Sequence, residues 1–317
     1  TSNAWCQLTC LRSGSTLIAS PDPVALPKAI KNKTELKGIR NCHIRDGAAL
    51  TGFLSWISRE VNKGHLHDEK QLSDKLLRHR KPLKNFQDLS FDTISAAGKN
   101  AALAHYNHLN GKPSVLELDS LYLVDSGAQY LDGTTDVTRT IGIGNPSEEH
   151  KKMFALVLKG HIALATAVFP KGTTGGHLDA LARQFLWKEG FDYDHGTGHG
   201  VGAFLSVHEG PQNISKSMSA QPLIPGMVLS NEPGYYKENE YGIRCENLIV
   251  VIEEKNGMLS FETITFAPFD RNLIERKFLS EKEIDWINSY HQHVREKLSG
   301  HLSGPDLEWL NNVTQAI

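Results

Sequence analysis

The chain has 317 residues, of which 39% are hydrophobic and 22% charged, with a formal net charge of -2. That is long enough for one large domain or two ordinary ones, and the charge balance gives no reason to expect nucleic acid or an anionic membrane as a partner. No run of about 18 apolar residues marks a transmembrane helix, and no basic region with an apolar core marks a signal peptide, so a cytoplasmic protein is expected.

The four cysteines, Cys6, Cys10, Cys42 and Cys245, include one close pair and no second pair to complete a zinc pattern. Reduced thiols are expected. The sequons at Asn32, Asn213 and Asn312 read as coincidence without a secretory signal.

Residues 1–33 read unlike the rest. Leu17-Ile18-Ala19 suggests a short strand, and Pro21, Pro23 and Pro27 break any regular element after it. The expectation is the remnant of a preceding domain plus a linker, with residues 34–317 forming the main domain and its helical C-terminal extension. Asn32-Lys33-Thr34-Glu35 has the form of a helix cap with an acid three residues on. The helix it opens carries Leu50, Phe53, Leu54, Ile57 and Val61 on one stripe, and Gly64 can end it. A second helix is expected after Asn145-Pro146, with Met153, Leu156, Val157, Gly160 and Leu164 on its stripe. A third carries Leu178, Leu181, Ala182 and Phe185 and closes at Gly190. Short apolar runs at 121–124, 227–229 and 248–252 predict strands. The last runs into Asn256-Gly257, a hairpin signal, before 261–266. From Glu281 the chain reads as helix. Helices mixed with antiparallel hairpins argue for an α+β fold.

Four segments place acids or histidines beside glycine near these strands. Asp125 and Asp136 lie eleven residues apart, so on one straight strand they would face opposite sides. They converge only if the chain turns between them, and Asp132-Gly133 offers a turn. Taken alone, the pair fits two turn aspartates equally well. His195-Gly-Thr-Gly-His199-Gly-Val-Gly202 spaces two histidines by four, but four glycines in eight residues disfavour a helix. The glycines suit a strand or loop whose backbone comes close to a ligand. His208-Glu209-Gly210 adds a third histidine. Glu232, in Asn231-Glu-Pro-Gly-Tyr-Tyr236, and Glu246, in Tyr241-Gly-Ile-Arg244-Cys-Glu-Asn247, complete the set. Each alone is weak, since a glutamate flanking a strand is most often solvated.

Charge decides how they combine. Asp125, Asp136, Glu232 and Glu246 in one site would carry four negative charges out of water, a large penalty unless cations neutralise them. Two divalent ions supply the balance, and oxygen ligands with one imidazole suit Mn²⁺, and also Co²⁺ or Zn²⁺. Such paired ions, about 3.5–4 Å apart, activate water and polarise a carbonyl.

The order Asp125, Asp136, His199, Glu232, Glu246 resembles the five-ligand set of the "pita-bread" metallopeptidases, peptidase family M24. Within that family the chain is similar to the aminopeptidase P group in its larger, eukaryotic-type form, from about Asn32 to the C-terminus. The resemblance implies a curved, mostly antiparallel sheet covered by helices. It implies that Asp125 holds one ion and His199 and Glu232 the other, with Asp136 and Glu246 bridging. His105, His208 and Glu232 would be catalytic, and His105, His195, His208, Arg244 and Tyr236 would meet the substrate. His105 read alone fits a helical patch over 101–109. The reaction implied is release of the N-terminal residue from a peptide with proline second. A homodimer is the assembly the resemblance allows.

Three rivals stand beside this expectation. A prolidase cleaves Xaa-Pro dipeptides, a methionine aminopeptidase removes initiator methionine, and a binding protein of this fold has lost catalysis. The nine-residue step from His199 to His208 and the Gly-Ile-Arg-Cys-Glu string favour aminopeptidase P. A relative without catalysis is expected to lose ligands, and all five positions are filled.

Overall fold

Asn32 opens the longest helix as the spacing predicts. In the computed structural model, which describes residues 3–217 and 219–317, helix α1 spans Ala4–Arg12, α2 Ala25–Ala29 and α3 Lys33–Asn62. The Asn32 side chain accepts from Thr34 N–H and Glu35 N–H, while the Glu35 carboxylate accepts from Asn32 N–H. This reciprocal cap satisfies donors that have no partner within the helix. Leu50, Phe53, Leu54 and Ile57 are buried, with Val61 packed at the edge of their cluster. Gly64 follows the helix at φ +78°. Leu17-Ile18-Ala19 is not a strand: it is irregular, with Ile18 85% exposed, and among the described residues it has no neighbouring strand to take its backbone groups. Helix α1 just before it buries no residue.

Helix α4, Glu69–Arg80, was not legible by periodicity because half of its residues are charged; its cap is Asp68 with Gln71. Helix α5 runs Glu148–Ala165 and starts two residues later than Asn145-Pro146 suggests. Ser147 is its cap and accepts from His150 N–H, so Asn145 and Pro146 lie on the approach. Gly160 of α5 faces α6, Gly175–Trp187, where an added Cβ would come within 2.1 Å of the Ala182 carbonyl. The helices can therefore cross in close contact. Helices α7, Glu281–Leu298, and α8, Gly304–Val313, complete the chain.

Two antiparallel sheets form the centre. One orders Ile94–Ala97, Ser120–Ser126 and Val137–Ile143; the other orders Leu259–Thr263, Asn247–Glu253 and Val228–Asn231. Gly234–Lys237 and Tyr241–Arg244 make a separate hairpin. Leu50 and Phe53 of α3 and Leu72 of α4 pack on Tyr122 and Val124 of the first sheet. Leu164 of α5 and Leu178 and Ala182 of α6 pack on Leu229, Ile249 and Val251 of the second. Helices on antiparallel sheets make this an α+β fold. All four thiols are free, Cys42 and Cys245 inside and Cys6 and Cys10 outside. Among the described residues, no helix is long and apolar enough to cross a membrane.

Candidate metal centre

The turn between the two aspartates exists. The strand Ser120–Ser126 ends just after Asp125, the chain reverses at Leu131 and Asp132, and Asp136 immediately precedes the strand Val137–Ile143. Antiparallel register sets Asp125 opposite Thr138, so both carboxylates reach one cavity of about 360 Å³. Glu232, Glu246, His199, His195, His105, His208 and Arg244 line the same cavity. Tyr236 stands behind it, with its hydroxyl 2.8 Å from His195 Nε2 and 2.6 Å from Arg244 Nη1. Every residue singled out from the sequence is therefore at or beside one cavity. The segment of His105 is not the helical patch that 101–109 allows: short 3₁₀ turns at Gly98–Ala102 and His108–Asn110 flank it, and His105 is exposed.

Hydrogen bonds hold the acids from behind. Arg244 Nη2 donates to Asp125 Oδ2 at 2.6 Å and its Nε to Thr138 Oγ1. Thr138 Oγ1 donates in turn to Glu246 Oε2 at 2.7 Å. Ser230 Oγ accepts from His199 N–H and donates to Glu232 Oε1. His199 Nδ1 lies 3.0 Å from the Gly200 carbonyl, so this nitrogen carries the proton and Nε2 faces Asp136 and Glu232 at 3.4 and 3.3 Å. The His195–Gly202 stretch is not helical, as its glycines predict, and Gly198 and Gly200 lie close against neighbouring backbone. A Cβ at Gly198 would lie 2.0 Å from the Ser230 carbonyl, and one at Gly200 2.0 Å from the Glu209 carbonyl. These glycines admit neighbouring backbone.

The electrostatics suit a cation. Burial, then repulsion from Asp136, Asp125 and Glu232, raises the Glu246 carboxyl well above the usual range. Burial raises Glu232 as well, and pushes Asp136 up to about 7. Burial opposes charge on His199, but Asp136 and Glu232 outweigh it and raise the imidazole to about 9. Asp125 Oδ1 is buried without a hydrogen-bond partner among the described residues. Oxygens from Asp136 and Glu246 lie with a His199 nitrogen within 4.8 Å of one another. The residues present thus fit bound cations: crowded oxygens, one of them unpartnered, around an imidazole whose tautomer is set.

Sequence reasoning missed the anchors. Asp179 and Arg183, four apart on α6, hold the histidine stretch: Asp179 accepts from Thr197 Oγ1, and Arg183 donates to the His195 carbonyl. Arg139 donates to the Glu246 carbonyl at 2.6 Å and to Tyr290 of α7. Glu69, fully buried, accepts from Ala97 N–H, Asn100 Nδ2, Tyr106 Oη and Ser114 N–H, fastening both ends of the loop that carries His105. The i,i+4 acid–base spacing was the available signal for Asp179 and Arg183; Glu69 had none. Glu69→Gln replaces one acceptor oxygen with an amide NH₂ that faces two donors. It is expected to destabilise the loop by about 1–3 kcal/mol, read as faster amide exchange over residues 97–116 with unchanged metal content.

Carboxylates around one imidazole, at the ends of antiparallel strands backed by helices, make a candidate cation-binding centre. The sequence model for metallopeptidase family M24 matches residues 37–253, and that for the C-terminal region of this family matches residues 257–317. The chain belongs to metallopeptidase family M24, and its fold is the pita-bread fold. It is 50% identical over 329 aligned residues to a protein named "Probable Xaa-Pro aminopeptidase P" from Paracoccidioides brasiliensis, covering 100% of this chain and 53% of that one. A protein of the same name from Neurospora crassa is 51% identical over 91% of this chain and 44% of its own length. The chain thus spans about half the length of the curated relatives it matches. Among solved structures, the X-prolyl aminopeptidase of Caenorhabditis elegans, described as a cytosolic enzyme with a di-nuclear active site, superposes with a TM-score of 0.90. It is 42% identical over 93% of this chain and 50% of that one. A prolidase from Pyrococcus furiosus superposes less closely, with a TM-score of 0.69 and 26% identity over 83% of this chain and 74% of that one.

Proposed function

We propose that residues 34–317 form the catalytic unit of a cytosolic Xaa-Pro aminopeptidase that releases the N-terminal residue from peptides with proline at the second position. Asp125, Asp136, His199, Glu232 and Glu246 would hold two divalent cations, Mn²⁺ ahead of Co²⁺ or Zn²⁺. The observation that carries this is the convergence of buried Asp125, Asp136 and Glu246, with Glu232, on the cavity that His199 lines, Asp136 and Glu232 facing its Nε2. The likeness to the C. elegans enzyme supports the substrate class over a prolidase.

Bound cations would supply Lewis-acid polarisation of the scissile carbonyl and lower the pKa of the attacking water. The protein's own groups do the rest. Glu232, on the cavity wall, would accept the proton of the attacking water. His208 packs its ring 4.1 Å from His199 at the exposed mouth, where it can donate to the carbonyl oxygen as charge develops. His105 meets the substrate from the opposite loop. Burial holds His195 neutral, at about 3, and its Nδ1–H donates to the Gly196 carbonyl while Nε2 accepts from Tyr236. An uncharged imidazole packed between the Tyr193 and Tyr236 rings suits the proline ring. Arg244 keeps Asp125 oriented.

The test is hydrolysis of Arg-Pro-Pro against Arg-Pro after chelation and reloading with Mn²⁺. Release of arginine from the tripeptide alone, only after reloading, is expected. Cleavage of the dipeptide alone would make the chain a prolidase.

A further inference from the structure

His208 is placed without a hydrogen bond of its own among the described residues; its ring contact is with His199. Its position must therefore come from the backbone, and the next residue is anchored on both its main chain and its side chain. Glu209 N–H donates to the Gly200 carbonyl at 2.8 Å. Its carboxylate is buried, passes under Gly202 where a Cβ would sit 2.8 Å from Oε2, and accepts from Lys31 Nζ at 3.2 Å. Lys31 is itself only 3% exposed. Lys28, on the half-exposed side, stands 3.2 Å from Oε2.

The lysine comes from the segment ahead of α3, 178 positions away. That segment is not loose where it meets the site. Ala29 is fully buried, Ile30 bridges Met227, and Lys31 N–H donates to the Gly226 carbonyl. A buried ion pair is weak evidence for net stability, because desolvation offsets most of the attraction; fixing one arrangement is its better-attested use. Here the arrangement it fixes includes the histidine one residue away.

We propose that the Lys31–Glu209 pair is a tether that positions His208, so that the chain just ahead of α3 sets the turnover of the metal centre. Lys31 and Glu209 are positioning residues that act through His208, and the proposal rests on His208 acting in turnover.

The experiment compares Glu209→Gln, Lys31→Met, the double variant and His208→Ala in the full chain. It reads metal content, kcat and KM on Arg-Pro-Pro, melting temperature, and amide exchange over residues 200–211. Glu209→Gln and Lys31→Met are each expected to keep two metals, lower kcat about tenfold with KM within twofold, and speed exchange at the Glu209 amide. The double variant leaves no unpaired buried charge, so its melting temperature should recover while kcat stays low; a merely structural pair would recover both. Added to His208→Ala, Glu209→Gln should lower kcat no further. A Glu209→Gln variant with kcat within twofold of the parent, beside an impaired His208→Ala, would overturn the tether alone. So would a Glu209→Gln loss that persists undiminished in the His208→Ala background. An unimpaired His208→Ala would remove the role given to His208, and the tether with it.

Discussion

Asp136→Asn and Glu246→Gln are each expected to lower peptide turnover by more than about 100-fold, beyond the loss seen when only a residue behind a ligand is changed. Bound metal should fall with turnover. In chelator the same variants should melt higher than the parent by about 2 °C or more. The opposite signs come from one cause. Glu246 is 1% exposed and Asp136 4% exposed, and burial with mutual repulsion raises both carboxyls. Without cations each carboxyl must take up a proton or hold a poorly solvated charge on folding, and either opposes folding. With cations the same charges are the binding energy. Elemental analysis, peptide hydrolysis and calorimetry in chelator separate the two effects. Full turnover in either variant would sink the two-cation centre. Unchanged melting in chelator would mean that the folded protein loses nothing by burying these carboxyls, against the raised pKa argued for them.

Arg80→Met should cost about 3–5 kcal/mol of folding stability, the loss typical of stranding one partner of a buried pair. Arg80 is fully buried and donates to Asp46 through both Nε and Nη2, at 2.8 and 2.9 Å, while Tyr130 Oη donates to the same carboxylate at 2.7 Å. Those three side chains join α3, α4 and the strand Ala128–Tyr130 just after Asp125. Urea denaturation of Arg80→Met and of Arg80→Met with Asp46→Asn measures the loss. The double variant should recover much of it, because no unpaired carboxylate is left inside. A single variant as stable as the parent would show that Asp46 finds another partner.

Local chemistry made much of the fold legible. The Asn32–Glu35 cap, the stripe from Leu50 to Ile57, the Asn256-Gly257 turn and the helix from Glu281 all follow from neighbours a few residues apart. Where local signals conflicted or were absent, the expectation failed. Leu17-Ile18-Ala19 has strand-forming residues but, among the described residues, no strand to pair with, and α4 hides in a charged sequence because Leu72 and Leu76 alone are fully buried on its apolar side. Ser147 rather than Asn145 caps α5, accepting from His150 N–H.

At the centre, the sequence by itself supplied the candidates: four acids and an imidazole whose order resembles a metal-ligand set, with Asp132-Gly133 as a turn signal between the first two. The tertiary structure decided that they meet. Side-chain alternation assigns faces within one strand, and nothing in it places Glu246 against Thr138, 108 residues away. Strand pairing does that, by setting Asp125 opposite Thr138 and Asn247 opposite Asn231. The same holds for Lys31 and Glu209, and for Glu69 and Tyr106: each is an ordinary charged or polar residue in sequence, and burial beside a distant partner gives it a task.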